Sequence, residues 1–551
     1  MKLQLAASFL GLGTTYVAAQ NQDRQPHYLV GLLNYPNSFI PDELKNHTSG
    51  TSIPKGNAMW SQSDKAPFSY VPGVGFSDME FYYDDEGNTV NGEFFCLTDN
   101  GFGSSDNSAD YALNIQHLKI QKPFTFRHAE TTFEKYTEAK NLGTAVLKDP
   151  DGYIKWENGA DIQVAYSVPD ETWADYKAAR VLTGRDFDVE GLAVINNRCA
   201  VVGDELMPAI FMVNPTTGVV LSKFVRTPDI DSNGNFIAGK YLSTRSDKVH
   251  CSIADLEANT CSSVASEVVD ASEYRKHDKS GGYEGFSILD DGTIAAFLEK
   301  KSGDSTLSDE PGVRVYHVKP GDCTSGSAPT FEKFLGFYPF EIGAGNIADV
   351  SAVPGSSRFV AVIERNGFPN GHMWPGAGNP ANNLCIVDLL DVDENMVMKN
   401  KKCILNYHDI DDPWDADGNG IFKYGHTQVT NEALVIVDDY CFVAGTDTNY
   451  PWTNQFGIDV SAQYYQEVDD ARFMVVCFVE PIFNSEHPLL KNFGAKSTQL
   501  PATSEAEVDE TAIARGADDS RALMAYDSTT HSTLAFIGGL ILAVGGFVLA
   551  A

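Results

Sequence analysis

Positive charge is scarce in this sequence. Its 551 residues carry 40 Lys and Arg against 75 Asp and Glu, a formal net charge of −35. That balance argues against nucleic acid and anionic membrane surfaces as partners, because phosphate contacts need Lys and Arg. Helical periodicity is nearly missing between Tyr28 and Asn484; only residues 130–141 and 171–180 read as helical. There is no Cys-x-x-Cys, no zinc-ligand spacing, no Gly-x-Ser-x-Gly and no P-loop. Zinc ribbons, the nucleophile elbow of α/β-hydrolases and P-loop phosphate sites are thereby excluded. His117, His128, His372 and His426 stand singly, and only His426, six residues before Glu432, is close in sequence to another candidate group. What the chain does have is apolar material, 43% of residues with 11% aromatic, enough for large cores and against disorder over most of its length.

The two ends read as addresses. Met1-Lys2, a short apolar run and Val17-Ala18-Ala19 make residues 1–19 a secretory signal peptide. Residues 488–520, rich in Ala, Ser, Thr and acids, read as a flexible stalk, and residues 521–551 as a hydrophobic GPI-type signal or membrane anchor. No Lys or Arg follows the run 534–551, which favours the GPI reading over a single transmembrane segment. The expected place is the extracellular face of the plasma membrane, as a monomer touching membrane only through that anchor. Asn46-His47-Thr48 is a glycosylation sequon. Nine cysteines in a secreted chain predict disulfides, with Cys251–Cys261 and Cys385–Cys403 as the preferred pairs. Cys96, Cys199, Cys441 and Cys477 lie in apolar runs and read as buried thiols.

Residues 20–487 are a succession of short β-rich runs punctuated by turn residues. A pair of acids recurs along them. Glu190 and Glu205, Glu284 and Glu299, Asp349 and Glu364, and Glu432 and Asp447 are each 15 apart, and Glu80 and Asp99 match at 19. The midpoints fall on turn-compatible residues, Asp291-Gly292 being the strongest, so each pair is expected to face itself across the open end of a hairpin unless a bulge shifts the register. A further strand follows each hairpin. A hairpin plus two strands is a propeller blade, and the repeat predicts an all-β fold, a six- or seven-bladed β-propeller. Five blades are distinct; residues 121–185 are expected to hold a sixth or an insertion, and residues 27–33 to close the ring against a late strand.

In a propeller the first strand of each blade lines the central channel, so ten carboxylates are expected at one mouth. Opposed like charges about 5 Å apart cost about 3 kcal/mol per pair at an effective dielectric near 20. Bound divalent cations, Ca²⁺ above all, would relieve this, as would protonation or pairing with Arg185, Lys300 or Arg365. The predicted metal ligands are Glu80, Asp99, Glu190, Glu205, Glu284, Glu299, Asp349, Glu364, Glu432 and Asp447. The alternative is that each acid caps a turn or binds a backbone N–H. Asp229-Ile-Asp231-Ser-Asn233-Gly234 and Asp415-Ala-Asp417-Gly-Asn419-Gly420 fit the first half of a calcium loop, but lack the Glu at position twelve and are not EF-hands; otherwise they are polar turns.

Thr98-Asp99-Asn100-Gly101-Phe102-Gly103, Asp188-Val189-Glu190-Gly191-Leu192, Gly282-Tyr283-Glu284-Gly285-Phe286, Val362-Ile363-Glu364-Arg365-Asn366 and Thr446-Asp447-Thr448-Asn449-Tyr450 form an ordered set. In these modules the chain resembles the phytase-like family, the esterase-like activity of phytase domain. Asn-Glu-Ala-Leu at 431–434 departs from the Glu-Gly pattern, and 121–185 has no counterpart. The resemblance implies a propeller that hydrolyses phosphoric or other esters, with a phosphorylated small molecule or another ester as substrate. Calcium ions held at an acidic mouth would admit an anionic substrate and activate water, with Glu284, Glu364 and Arg365 as catalytic candidates and Arg365 orienting the phosphate. Two rival readings stay open: a calcium-stabilised propeller that binds a protein or glycan without chemistry, and a carboxylic-ester or lactone hydrolase.

Overall fold

The structure is a computed structural model that describes residues 25–35, 75–99, 112–120, 134–154, 179–182, 184, 187–206, 208–243, 274–276, 281–302, 310–341, 343–366, 381–407, 409–413, 423–424, 431–447 and 471–491. The expected signal peptide, the sequon, the expected Cys251–Cys261 pair, the expected stalk from residue 492 on and the expected anchor lie outside the described residues. No helix among the described residues is long and apolar enough to cross a membrane.

Four antiparallel four-stranded units follow one another along the chain, and the last three-stranded hairpin system is completed by the first strand. Blade 1 comprises Asp78–Tyr83, Thr89–Leu97, Asn114–Ile120 and Glu134–Val146; blade 2 comprises Val189–Asn196, Cys199–Asp204, Ala209–Val213 and Val225–Arg226. Blade 3 comprises Tyr283–Ile288, Ile294–Leu298, Val313–Lys319 and Thr330–Tyr338; blade 4 comprises Asn346–Ala352, Phe359–Arg365, Asn382–Asp388 and Lys401–Asn406. Blade 5 holds Asn431–Ile436, Cys441–Thr446 and Ala471–Phe478, with His27–Tyr35 as its outer strand, antiparallel to Ala471–Phe478 from His27↔Phe478 to Tyr35↔Ala471. The expected closure of the ring by the N-terminal run is therefore observed.

The all-β propeller is as expected, but it has five blades and not six or seven. Residues 134–146, within the stretch assigned to a possible sixth blade and partly to a helix, form the outer strand of blade 1, paired antiparallel with Asn114–Ile120. The second run read as helical, 171–180, falls almost wholly outside the described residues.

The local sequence explains the layering. Second strands such as Ile294–Leu298 and Cys441–Thr446 are buried at every position, as expected of strands covered on both faces, and they combine small and β-branched residues with Phe297, Leu298 and Phe442. Five apolar cores result, one in each seam between neighbouring blades. Phe95, Leu113, Leu192 and Phe211 fill the seam between blades 1 and 2; Tyr283, Phe286, Ile210 and Met212 fill that between blades 2 and 3. Close approach at the centre demands small side chains: a Cβ on Gly285 would stand 2.8 Å from Val350 N in the next blade.

The cysteines correct part of the sequence reading. Cys385–Cys403 is a disulfide as expected, but Cys199, Cys441 and Cys477, read as buried thiols, are bridged as Cys199–Cys323 and Cys441–Cys477. Burial alone did not separate thiol from disulfide, since Cys441 lies directly opposite Cys477 across two buried strands. Cys96 is the one free cysteine among the described residues, and it is buried.

Candidate metal centre

The strand register shows how the acids are placed. Glu284 and Glu299 do not face each other. Tyr283 pairs with Leu298 and Gly285 with Phe297, so Glu284 is the extra residue of a β-bulge and Glu299 is the first residue past the second strand. Blade 2 repeats this with Val189↔Asp204 and Gly191↔Gly203 around Glu190, and blade 5 with Asn431↔Thr446 and Ala433↔Gly445 around Glu432. The bulge turns the inner-strand glutamate into the mouth, where it meets the acid at the end of the second strand.

Blades 1 and 4 differ. In blade 4, Asp349 pairs with Ile363 and Ile347 with Glu364, so the residue at the bulge is Ala348 and the one equivalent to Glu299 is Arg365, the last residue of the second strand. In blade 1, Asp78 pairs with Leu97, which puts Ser77 at the glutamate position and Asp99 at the outer position. Asp349 and Glu364 are 15 apart like the true pairs, yet each is one residue away from the equivalent site. Asp349 and Asp78 are instead equivalent to each other, and they tie blades together. Each accepts the backbone N–H of a neighbouring inner strand, Leu434 for Asp349 and Leu192 for Asp78. Glu80 lies two residues along the strand from Asp78, and burial pushes its carboxyl up to about 8. Glu364 is fully buried inside blade 4, where its oxygens accept from Tyr338 Oη at 2.9 Å, Lys401 Nζ at 2.9 Å and Asn383 Nδ2 at 3.2 Å.

Among the described residues, two carboxylate triads remain at the mouth. Asp99, Asp188 and Glu190 bring one oxygen each within 4.8 Å of one another, and so do Glu205, Glu284 and Glu299. All six residues are buried. The third such group, Glu364 with Cys385 and Cys403, is spent in a disulfide and the ion pair with Lys401. Asp188 was not named as a ligand from sequence; it lies just before the inner strand, and its signal is an acid two residues ahead of the bulge glutamate Glu190.

Like charge and burial act together here. Burial and then Asp188 hold Glu190 well above the usual carboxylate range, with Glu284, Asp99 and Glu205 adding to it. Burial and then Glu299 and Glu432 do the same to Glu284. Glu205 is pushed up to about 7, chiefly by burial and Asp188, and Glu299 to about 8, chiefly by burial against the pull of Lys300. Two cations of the protein relieve part of this. Lys300 pairs with Glu299 and lies 4.0 Å from Glu205. Arg365 Nη2 donates to Glu432 Oε1 at 2.5 Å and lies 3.6 Å from Glu284. Burial raises Glu432 to about 8 even so, with Asp447 opposing the arginine. Arg185 lies outside the described residues, as do His426, His372 and His128. His117 stacks on Tyr82 and bonds Glu93 at 3.0 Å on blade 1, apart from the acids.

The calcium-loop stretch at 229–234 is a polar turn. Asp229 is paired with the buried Arg314 at 2.9 Å, and Asp231 accepts the N–H groups of Asn233 and Asn235. The stretch at 415–420 lies outside the described residues.

The family model for phytase-like proteins, described as esterase-like activity of phytase, matches residues 74–446, from the lead into blade 1 to the second strand of blade 5. The chain belongs to the phytase-like family. No curated protein matches this phytase-like chain. Solved structures are similar to it at a low level, among them the following three. Hydrazine synthase of Kuenenia stuttgartiensis has 12% identity and TM-score 0.26, covering 68% of this chain and 76% of that one. A luciferin-regenerating enzyme has 8% identity and TM-score 0.26, covering 74% and 93%. The GH74 xyloglucanase of Xanthomonas campestris has 11% identity and TM-score 0.25, covering 78% and 53%. Similarities of this size carry no argument about the phytase-like chain.

Proposed function

We propose that this protein is a calcium-dependent phosphoric-ester hydrolase, phytase- or phosphomonoesterase-like, that acts outside the cell and is tethered by its C-terminal segment. The observation that carries this is the convergence of two buried carboxylate triads on the propeller mouth, in a chain of the phytase-like family. The donor set is all oxygen, which suits a hard cation such as Ca²⁺. Glu190 Oε2 is buried with no hydrogen-bond partner, and a cation would satisfy it. The three disulfides among the described residues fit an oxidising compartment.

Divalent cations bound by the triads would supply charge that draws in phosphate oxygens and polarises them. The protein's own groups do the rest. Arg365, fixed between Glu432 and Glu284, offers a guanidinium edge to orient the anion. Without metal, Glu205 and Glu299 are raised to about 7 and about 8, so a cation bound on them would displace protons near neutral pH. Glu284 belongs to one triad and touches the arginine side as well, which makes it the residue through which cation and anion binding meet. Glu364, committed to Tyr338 and Lys401, is not placed at this site.

The test is phosphate release from inositol hexakisphosphate and from a chromogenic phosphate monoester, with calcium and after chelation, by wild type and by E284Q. Calcium-dependent release that E284Q abolishes while staying folded supports the proposal. No turnover of either substrate sinks it. The pairing of Arg365 and Lys300 with mouth acids also suits a propeller that binds a partner and uses calcium for stability alone. Calcium then raises the melting temperature with no release from phosphate or carboxylic esters.

A further inference from the structure

The five seams of the ring are not equivalent, and their differences can be read position by position. In the seam between blades 1 and 2, the outer acid of one blade, Asp99, meets the bulge glutamate of the next, Glu190. In the seam between blades 2 and 3, Glu205 meets Glu284 in the same way. The register gives the composition of the other three. Between blades 3 and 4 the outer acid is Glu299, but the bulge residue is Ala348. Between blades 5 and 1 the outer acid is Asp447, but the matching residue is Ser77. Between blades 4 and 5 the glutamate is present as Glu432, but the outer position is Arg365, and the two form an ion pair at 2.5 Å.

We infer that the mouth binds two divalent cations, one in the seam between blades 1 and 2 on Asp99, Asp188 and Glu190 and one in the seam between blades 2 and 3 on Glu205, Glu284 and Glu299, and that Arg365 is a covalently attached stand-in for a third. This deepens the metal-dependent reading above and rests on it. Each of the two seams has three carboxylates with oxygens mutually within 4.8 Å. Glu190 is more than nine-tenths buried, and its Oε2 has no partner. The seams with Ala348 and Ser77 lack the inner ligand. The seam with Arg365 already has its positive charge, delivered by the chain at the position where four blades carry an acid. The mouth is thus divided into a side with two carboxylate triads, where Lys300 meets Glu299 and Glu205 from the rim and leaves the net charge negative, and a side where Arg365 takes the place of an acid.

Calorimetric titration of the full secreted protein with calcium at physiological salt decides this, by comparing variants with wild type. E190Q and E284Q should each lose one tightly bound ion, their combination two, and E432Q none. D99N and E205Q repeat the two single losses with different ligands, should either glutamine variant fail to fold. Melting in chelator reports folding independently. Loss of the same single ion by E190Q, E284Q and their combination would mean one shared site; loss of an ion by E432Q would mean that the third seam binds metal. Either result overturns the inference. Should two ions bind while no phosphate ester is turned over, the two-cation assignment stands and the hydrolase reading falls.

Discussion

The half of the mouth formed by blades 1 to 3 and the half formed by blades 4 and 5 solve the same electrostatic problem differently. Both place a bulge glutamate at the end of an inner strand, in Glu190, Glu284 and Glu432. In the first half the neighbouring outer position adds another carboxylate. In the second it adds Arg365, which is itself buried and bonded to Glu432. Between these two halves the residue at one repeated position, an acid or Arg365, changes the charge of the seam. The repeat fixes the geometry, and the substitution fixes the chemistry.

The contrast is broken most severely by R365E. It removes the built-in cation and leaves acidic groups buried side by side, so the metal-free protein should lose about 3–5 kcal/mol of stability, the range for breaking a buried ion pair. Chemical denaturation in chelator checks this, and added calcium should recover part of the loss. Next in size is a difference of sign. In chelator E190Q should raise the melting temperature, since it removes a repelled buried charge, whereas E432Q should lower it by leaving Arg365 with only Glu284, 3.6 Å away. Equal shifts in both variants would erase the contrast.

A pH titration of stability sharpens the same point. Glu205, Glu299 and Glu432 have folded pKa values raised from the ordinary 4.5 to about 7, 8 and 8. Between about 4.5 and 8 the unfolded chain has released these protons and the folded one has not. The unfolded state thus binds fewer protons, and stability in chelator should fall as pH rises through that window. Saturating calcium should flatten the slope, because bound cations lower the folded pKa values. A slope unchanged by calcium would show that the ions do not sit on these acids. The smallest effect is expected at the turn of residues 229–234: D231N should leave the number of bound ions unchanged, since that carboxylate is already engaged by Asn233 and Asn235.

The repeat was legible in the sequence where both acids are present and the hairpin has one length, as in blades 2, 3 and 5. It misled where another residue occupied the position. Asp349 and Glu364 keep the spacing of 15 because each is displaced one step toward the other, and the hairpin of blade 4 is two residues longer between the equivalent sites Ala348 and Arg365. Spacing cannot show that displacement; strand register can. The blade number was overcounted because the 13-residue strand Glu134–Val146 has no turn within it to mark it as an outer strand, and its charged residues imitate a helix. Cys199–Cys323 links blade 2 to the loop after the third strand of blade 3, a contact 124 residues apart that no local pattern announces. Arg365 was recognised as a candidate, but its role as the odd member of a ring of acids depended on knowing which residues are equivalent.

The outer strand of blade 5, His27–Tyr35, is made before any other strand of the propeller, and its partner Ala471–Phe478 is made last. During synthesis, at about 5–20 residues per second, blades 1 to 4 can form in order while that first strand waits for its neighbour. Until then it can only lean on Glu134–Val146, with which it pairs in parallel through Gly31↔Glu134 and Leu33↔Thr137. The ring is a clasp rather than a stack: it can shut only after Ala471–Phe478 is made, well after the strands of blades 1 to 3 that carry the two triads.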